Sequence, residues 1–266
     1  MSTAVLAQAT VLAHTRPMEG GEELVLAHPE GARRARPGQF FQIGVDAKGT
    51  LLRRPYSIAA IDPGRGRLSF LFSVVGQGSA WLSGLSNGQA VDLIGPLGNG
   101  FVIDGGTSPV CVAGGLGVAV FPPLVDALVR AGRPPIVLQG ARTGSRLLPD
   151  DRFAGASVQV ATDDGSRGWR GSVVSLLRTV AAPSQEWFVC GPTPMLRAVI
   201  RLAGSVGVSL DRIQVALETP MGCGMGTCLG CVVPAAAGGY LLTCQEGPCL
   251  RADQVAWDRI TDAFHE

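Results

Sequence analysis

Through its first third the chain alternates short apolar runs with turn residues. Such runs recur at 10–13, 23–27, 40–45, 56–61, 68–75 and 90–94, separated by signals such as Pro37-Gly38 and Asp62-Pro63-Gly64. Short strands at this spacing predict a small antiparallel barrel or sandwich. The pattern changes near Thr107. Continuous apolar runs at 110–113, 135–139, 157–161 and 186–190 then alternate with helix-like stretches at 120–131, 172–180 and 195–206. That alternation predicts a doubly wound parallel sheet. After about Val215 the periodicity fades into a Gly- and Cys-rich tail, which reads as a small segment organised by metal. The expected division is therefore 1–104, 105–215 and 216–266, with no internal repeat and no low-complexity tract.

Composition supports folded domains. Of the 266 residues, 46% are hydrophobic and 16% charged, enough apolar surface to sustain a sizeable core and too little charge for a disordered chain. The net charge of +1 gives no electrostatic case for nucleic acid or an anionic membrane as partner. Residues 1–17 lack a signal-peptide layout, and no run approaches the roughly 20 apolar residues of a spanning helix. The expectation is a soluble, cytoplasmic protein. In that compartment clustered cysteines read as metal ligands before disulfides.

Four of the seven cysteines carry the strongest motif, Cys223-x4-Cys228-x2-Cys231-x12-Cys244. This is the plant-type ferredoxin spacing for a [2Fe-2S] cluster. Three thiolates must converge from one short loop, and Gly222, Gly224, Gly226 and Gly230 give it the freedom to do so. Backbone N–H groups in such a loop can also point at the sulfurs. A zinc site is the alternative, but zinc usually takes its cysteines as two close pairs. Cys249 is a fifth nearby thiol that could compete with Cys244. Cys111 lies in a strand-like run and reads as buried packing, as does Cys190, which also opens the second nucleotide loop below.

Two further sites are suggested. Arg54-Pro55-Tyr56-Ser57 begins a strand. Its Arg can pair with a flavin pyrophosphate, its Ser can bond the isoalloxazine edge, and its Tyr can lie against the ring. Gly76-Gln77-Gly78-Ser79 precedes a helix-like stretch at 80–85 whose amides can hold a phosphate. Gly95-Pro96-Leu97-Gly98-Asn99-Gly100-Phe101 closes the barrel region with a stiff turn. In the second region Gly114, Gly115 and Gly117 form a strand-to-helix turn suited to a dinucleotide, without the G-x-G-x-x-G spacing. Cys190, Gly191 and Pro192 follow the last strand. Thr162-Asp163-Asp164-Gly165-Ser166 follows another, where turn formation is the simpler role. With no clear basic pair for a 2′-phosphate, NAD(H) is expected over NADP(H).

These motifs, with the segment from Glu218 to Pro248 (Met221-Gly222-Cys223 through Pro234, then Cys244-Gln245-Glu246-Gly247-Pro248), resemble the electron transfer subunit family of class 1B dihydroorotate dehydrogenases, within the ferredoxin reductase superfamily. The resemblance implies FAD on a six-stranded antiparallel β-barrel, NAD(H) on the α/β domain and a cluster in the C-terminal segment. It implies FAD contacts from Arg54, Pro55, Tyr56, Ser57, Leu71, Phe72, Ser73, Gly78 and Ser79. It implies cluster ligation by Cys223, Cys228, Cys231 and Cys244. The family often has Arg at Ser73, Thr at Ser79 and an apolar residue at Cys249. The implied partner is an FMN-containing catalytic subunit, two of each forming a heterotetramer. Electrons from dihydroorotate would pass through cluster and FAD to NAD+. The rival assignment is a flavin and iron–sulfur subunit of a transhydrogenase or sulfhydrogenase complex.

Overall fold

The computed structural model describes residues 4–103, 105 and 108–260; the expected boundary at 104–105 and the change of pattern near Thr107 lie largely outside them. Six strands close a barrel: β1 (Val5–Met18), β2 (Gly21–Ala27), β3 (Phe40–Ile43), β4 (Arg54–Asp62), β5 (Arg67–Phe72) and β6 (Ala90–Leu97). Their order is β1-β2-β5-β4-β3-β6, every pair antiparallel. Inward positions recur every second residue and fill the core with Leu24, Leu26, Phe41, Ile43, Ile58, Phe70 and Leu93. Each such side chain contributes roughly 1.5–3 kcal/mol by leaving water. Polar outward residues hid the length of β1 in the sequence. His14 and Arg16 both bond the Glu22 carboxylate, at 2.7 and 2.8 Å. Two short helices decorate the barrel, α1 (Pro29–Arg34) and α2 (Gln77–Ser83). The first is capped by His28, whose Nδ1 accepts the Gly31 N–H. His is not among the preferred capping residues, which left this helix unannounced.

The second unit is a sheet with seven strands among the described residues. β7 (Pro109–Gly114), β8 (Ile136–Ala141), β9 (Ser157–Thr162), β10 (Trp169–Arg170), β11 (Glu186–Cys190) and β12 (Ile213–Ala216) run parallel in the order β10-β9-β8-β7-β11-β12. Helix α3 (Phe121–Arg130) covers one face, and α4 (Val173–Val180) with α5 (Thr193–Val206) covers the other. Burial on both faces explains why these strands read as continuous apolar runs. Among the described residues no helix is long and apolar enough to cross a membrane.

The tail returns to both units. After a small ribbon, β13 (Val232–Pro234) with β14 (Tyr240–Leu242), strand β15 (Cys249–Arg251) adds antiparallel to β12. On the barrel side, the Asn99 N–H donates to Gly247 O at 2.6 Å. Asn99 Nδ2 donates to Gln245 O and Glu246 O at 2.9 and 3.2 Å. The turn at 95–101 therefore holds the tail against the barrel as well as closing it. Gln214 on β12 exchanges two hydrogen bonds with the Val102 backbone, at 2.8 and 2.7 Å, which ties the barrel's exit to the sheet.

Candidate functional site

A cavity of about 1040 Å³ opens where barrel, sheet and tail meet. Arg54, Pro55, Tyr56 and Ser57 of β4 line it, with Leu71, Phe72 and Ser73 at the end of β5 and Gly78 and Ser79 at the start of α2. All nine residues expected at the flavin thus face one space. Tyr56 packs its ring on Phe72 with centroids 5.4 Å apart. Burial, only partly offset by Arg54, pushes the Tyr56 phenol up to about 12, so it stays neutral and keeps its O–H. Two serines are engaged within the protein. Ser79 Oγ accepts the N–H groups of Val75 and Gly76 at 2.9 and 3.1 Å, and Ser73 Oγ donates to Gly20 O at 2.8 Å. Ser79 consequently shapes its turn, and Ser73 braces β5 against the β1–β2 hairpin.

The opposite wall comes from the sheet. Numbered from β7 in chain order, the six parallel strands run 4-3-2-1-5-6, so the order reverses between β7 and β11. Ligands of open α/β sheets bind at this reversal, beyond the carboxyl ends of the strands. The loop after β7 forms a 3₁₀ turn, Gly115–Val120, and the loop after β11 carries Cys190, Gly191 and Pro192. The two touch: a Cβ at Gly117 would stand 2.5 Å from Cys190 O. Only glycine permits that approach. Gly117 and Cys190 line the cavity; Gly114 and Gly191 are buried beside them, and Gly115 and Pro192 are exposed. Burial raises the Cys190 thiol well above its ordinary value, which makes it a shape-giving apolar group. Asp164 accepts the Ser166 N–H and O–H at 2.9 and 2.7 Å, the turn-forming role its sequence context allowed.

The third wall is the tail. Leu217, Glu218, Thr219, Pro220 and Met221 line the cavity immediately before Cys223. Cys223 neighbours Cys228, and Cys244 neighbours Cys231 most strongly and Cys223 as well. Among the described residues no three Cys, His, Asp or Glu side chains are gathered for a single ion. Two thiolates per iron on two irons fit this arrangement. The loop's backbone is turned toward the sulfurs. Cys223 Sγ accepts N–H groups from Met225, Thr227 and Cys228 at 3.4, 3.3 and 3.5 Å, and Cys244 Sγ accepts that of Gly226 at 3.0 Å. Burial opposes ionisation of Cys223, but those three amides outweigh it and bring the thiol down to about 6. Cys244, buried and beside Cys231, is pushed up to about 12. A thiolate loop of this kind, lined by N–H donors, suits an anionic iron–sulfur centre. Gly226 adopts φ +79°, and a Cβ there would fall 2.2 Å from the Gln245 side chain. Cys231 and Cys244 are buried with Phe40 and Leu97, while Cys228 is exposed.

Cys249 is elsewhere. It lies in β15 opposite Ala216, and its Sγ contacts Gly38 O at 3.6 Å. Its environment is the apolar seam between sheet and barrel, and burial raises its thiol well above the ordinary value. Sequence reasoning missed the cavity-lining Phe40, Thr50 and Val75, which belong to no polar or glycine motif, and passed over Gln77 and Leu116 within the two glycine motifs that contain them. It also missed Gln42, a lone amide in the apolar run of β3, which such isolation could have flagged.

A family described as the iron–sulfur cluster binding domain of dihydroorotate dehydrogenase B matches residues 218–256. One described as an oxidoreductase FAD-binding domain matches 22–101. The dihydroorotate dehydrogenase B (NAD(+)) electron transfer subunit of Desulforamulus reducens is 37% identical over 243 residues, covering 86% of this chain and 90% of the relative. That of Bacillus caldolyticus is 36% identical over 227 residues, covering 83% and 86%. Among solved structures, an NADH-dependent reduced ferredoxin-NADP oxidoreductase, studied for flavin-based electron bifurcation, superposes with TM-score 0.85 at 30% identity, covering 95% of this chain and 91% of that one. A ferredoxin NADP+ reductase from Neisseria gonorrhoeae shares the fold alone, with TM-score 0.68 at 17% identity over 79% of this chain and 97% of that one.

Proposed function

Since the chain belongs to the family of dihydroorotate dehydrogenase B electron transfer subunits, we propose that it relays electrons from an FMN-containing dihydroorotate dehydrogenase catalytic subunit to NAD+ in pyrimidine biosynthesis. One observation carries the reading. A single cavity is walled by the barrel's Arg54–Ser57 motif, by Gly117 and Cys190 of the sheet, and by residues 217–221 leading into Cys223. A group held there is in reach of both a nicotinamide and an iron–sulfur centre. FAD exchanges two electrons as hydride and also single electrons, so it matches a two-electron carrier to a one-electron centre.

The chain's own residues do the positioning. Arg54 offers a cation for a pyrophosphate, Tyr56 and Phe72 give an aromatic wall, and Gly117 and Cys190 shape the approach of the nicotinamide. Gly114 approaches Gly191 and Pro192 across the two loops, and Gly115 makes the turn with φ +55°. Cys223, Cys228, Cys231 and Cys244 hold the cluster. We place the partner on the cluster's open side. Leu52, Met225 and Leu229 are 52%, 50% and 61% exposed around exposed Cys228. Leu229 takes φ +59°, a left-handed geometry that is unfavourable for a residue other than glycine. Two of each subunit, in the cytoplasm, complete the assembly.

The test is to co-express the chain with its genomic neighbour and measure flavin, iron and dihydroorotate-dependent NAD+ reduction together. The chain alone, loaded with FAD, should oxidise NADH with an artificial acceptor, and absence of that activity ends the relay reading. A second reading, a flavin subunit of an electron-bifurcating complex, is favoured by the 0.85 TM-score to the ferredoxin-NADP oxidoreductase. A co-purifying partner without FMN selects it.

A further inference from the structure

Strand β3 has one face in the barrel and one against the tail. Phe41 and Ile43 belong to the barrel core, so Phe40 and Gln42 point outward by the period of two. That outward face is dry. Phe40 packs with Leu97, Cys231 and Cys244, and Gln42 is 0% exposed. The cluster loop is what covers Gln42: a Cβ on Gly224 would stand 2.8 Å from its Cγ and 2.9 Å from its Nε2. Gly224 immediately follows Cys223.

Both ends of this buried amide, Nε2 and Oε1, have no hydrogen-bond partner among the described residues. An unpaired buried amide is costly, and Leu or Met would fill the position without that cost. The polarity therefore answers to something outside the protein's own donors and acceptors. The acceptors that the covering loop carries are its cysteine sulfurs, of which Cys223 and Cys244 also receive N–H groups from Met225 to Cys228.

We propose that the Gln42 side chain donates an Nε2 hydrogen to a sulfur of the iron–sulfur centre held by Cys223, Cys228, Cys231 and Cys244, and so raises the reduction potential of that centre. The inference rests on the relay reading. A hydrogen bond to sulfur draws charge off the centre and favours its reduced, more negative form. The donor comes from the barrel, whereas the amides come from the loop itself. Since Phe40 lines the flavin cavity two residues earlier, β3 touches both centres, and Gln42 is a positioning residue that couples them.

The experiment uses the full-length holoprotein with its cluster and flavin, as wild type, Gln42→Met and Gln42→Leu. Redox titration monitored by EPR should show the equilibrium constant for one-electron reduction of the cluster falling about tenfold in both variants, which is a drop of about 59 mV. Wild-type protein labelled with ¹⁵N in its glutamine amides should show ¹⁵N coupling to the reduced cluster in pulsed EPR. Gln42→Met should remove that coupling. Gln245→Met should keep it, because the Gln245 amide already donates to Met225 O at 3.0 Å. A midpoint within twofold of wild type in a variant that carries the cluster overturns the proposal, as does a ¹⁵N coupling that survives Gln42→Met. Should neither Gln42 variant assemble the centre, absence of coupling in the wild type overturns it and coupling kept in Gln245→Met supports it. Wild-type protein with no cluster signal overturns the relay reading itself, and this inference with it.

Discussion

At the scale of single residues, the five thiols near the tail separate by what surrounds each sulfur. Cys223 and Cys244 accept backbone N–H groups, and Cys228 is open to solvent. Cys228→Ser should stop electron flow to the partner while NADH still reduces the flavin; equal loss of both in stopped-flow and coupled assays would make the cluster structural. Cys249 faces Gly38 and the apolar seam. Cys249→Ala should keep the full cluster spectrum and lose only packing, about 1 kcal/mol, or about 2–4 °C in Tm for a protein of this size. Loss of the EPR signal in that variant would make it a ligand and displace Cys244. Spacing alone left Cys244 and Cys249 in competition, because spacing does not report which way a side chain points; the pairing of β15 with β12 puts Cys249 at the seam, facing Gly38.

At the scale of elements, the turn at 95–101 is the hinge of the design. Asn99 holds the carbonyls of Gln245 and Glu246, just past Cys244. Asn99→Ala removes two exposed hydrogen bonds worth about 1 kcal/mol each. The expected result is faster amide exchange confined to 242–248 and faster cluster loss in air, with global Tm lowered by only a few degrees. Uniform exchange across the protein would show that the turn holds no local unit. Strands and helices of the two main units were legible because their burial is periodic: alternate in the barrel, continuous in the two-sided sheet. The four-residue β12, the capping of α1 by His28 and the return of β15 to the sheet were not. They depend on partners distant in sequence, as does the meeting of Gln42 with Gly224. The nine residues expected at the flavin line one cavity, and of the six expected at the nicotinamide Gly117 and Cys190 line it too, since a turn motif marks a loop without specifying which of its residues face a given space.

At the scale of the whole molecule, the relay requires barrel and sheet to keep a fixed relation, because their shared cavity is the site. One buried ion pair spans them. Arg152 donates from both terminal nitrogens to the Glu23 carboxylate at 2.8 and 2.7 Å, and Ser69 adds a third bond at 2.7 Å. Burial alone would raise the Glu23 carboxyl, but Arg152 and Ser69 outweigh it and hold it below its ordinary value of 4.5. A carboxyl held lower in the folded state stabilises that state fully above 4.5, and the contribution drains away as pH falls through the folded value. Arg152→Ala leaves Glu23, 5% exposed, as an unpaired buried charge, a loss of roughly 3–5 kcal/mol at neutral pH. Glu23 in the variant should take up a proton at a higher pH than in wild type, which relieves the penalty. The stability gap between the two proteins, measured by urea unfolding, should therefore be widest at pH 7, begin to narrow where Glu23 of the variant takes up its proton, and go on narrowing below pH 4.5. A gap that stays constant across that range would mean the pair acts only through packing. If the gap narrows while NADH-to-flavin transfer falls in the folded variant, the ion pair also sets the geometry across which the hydride must pass.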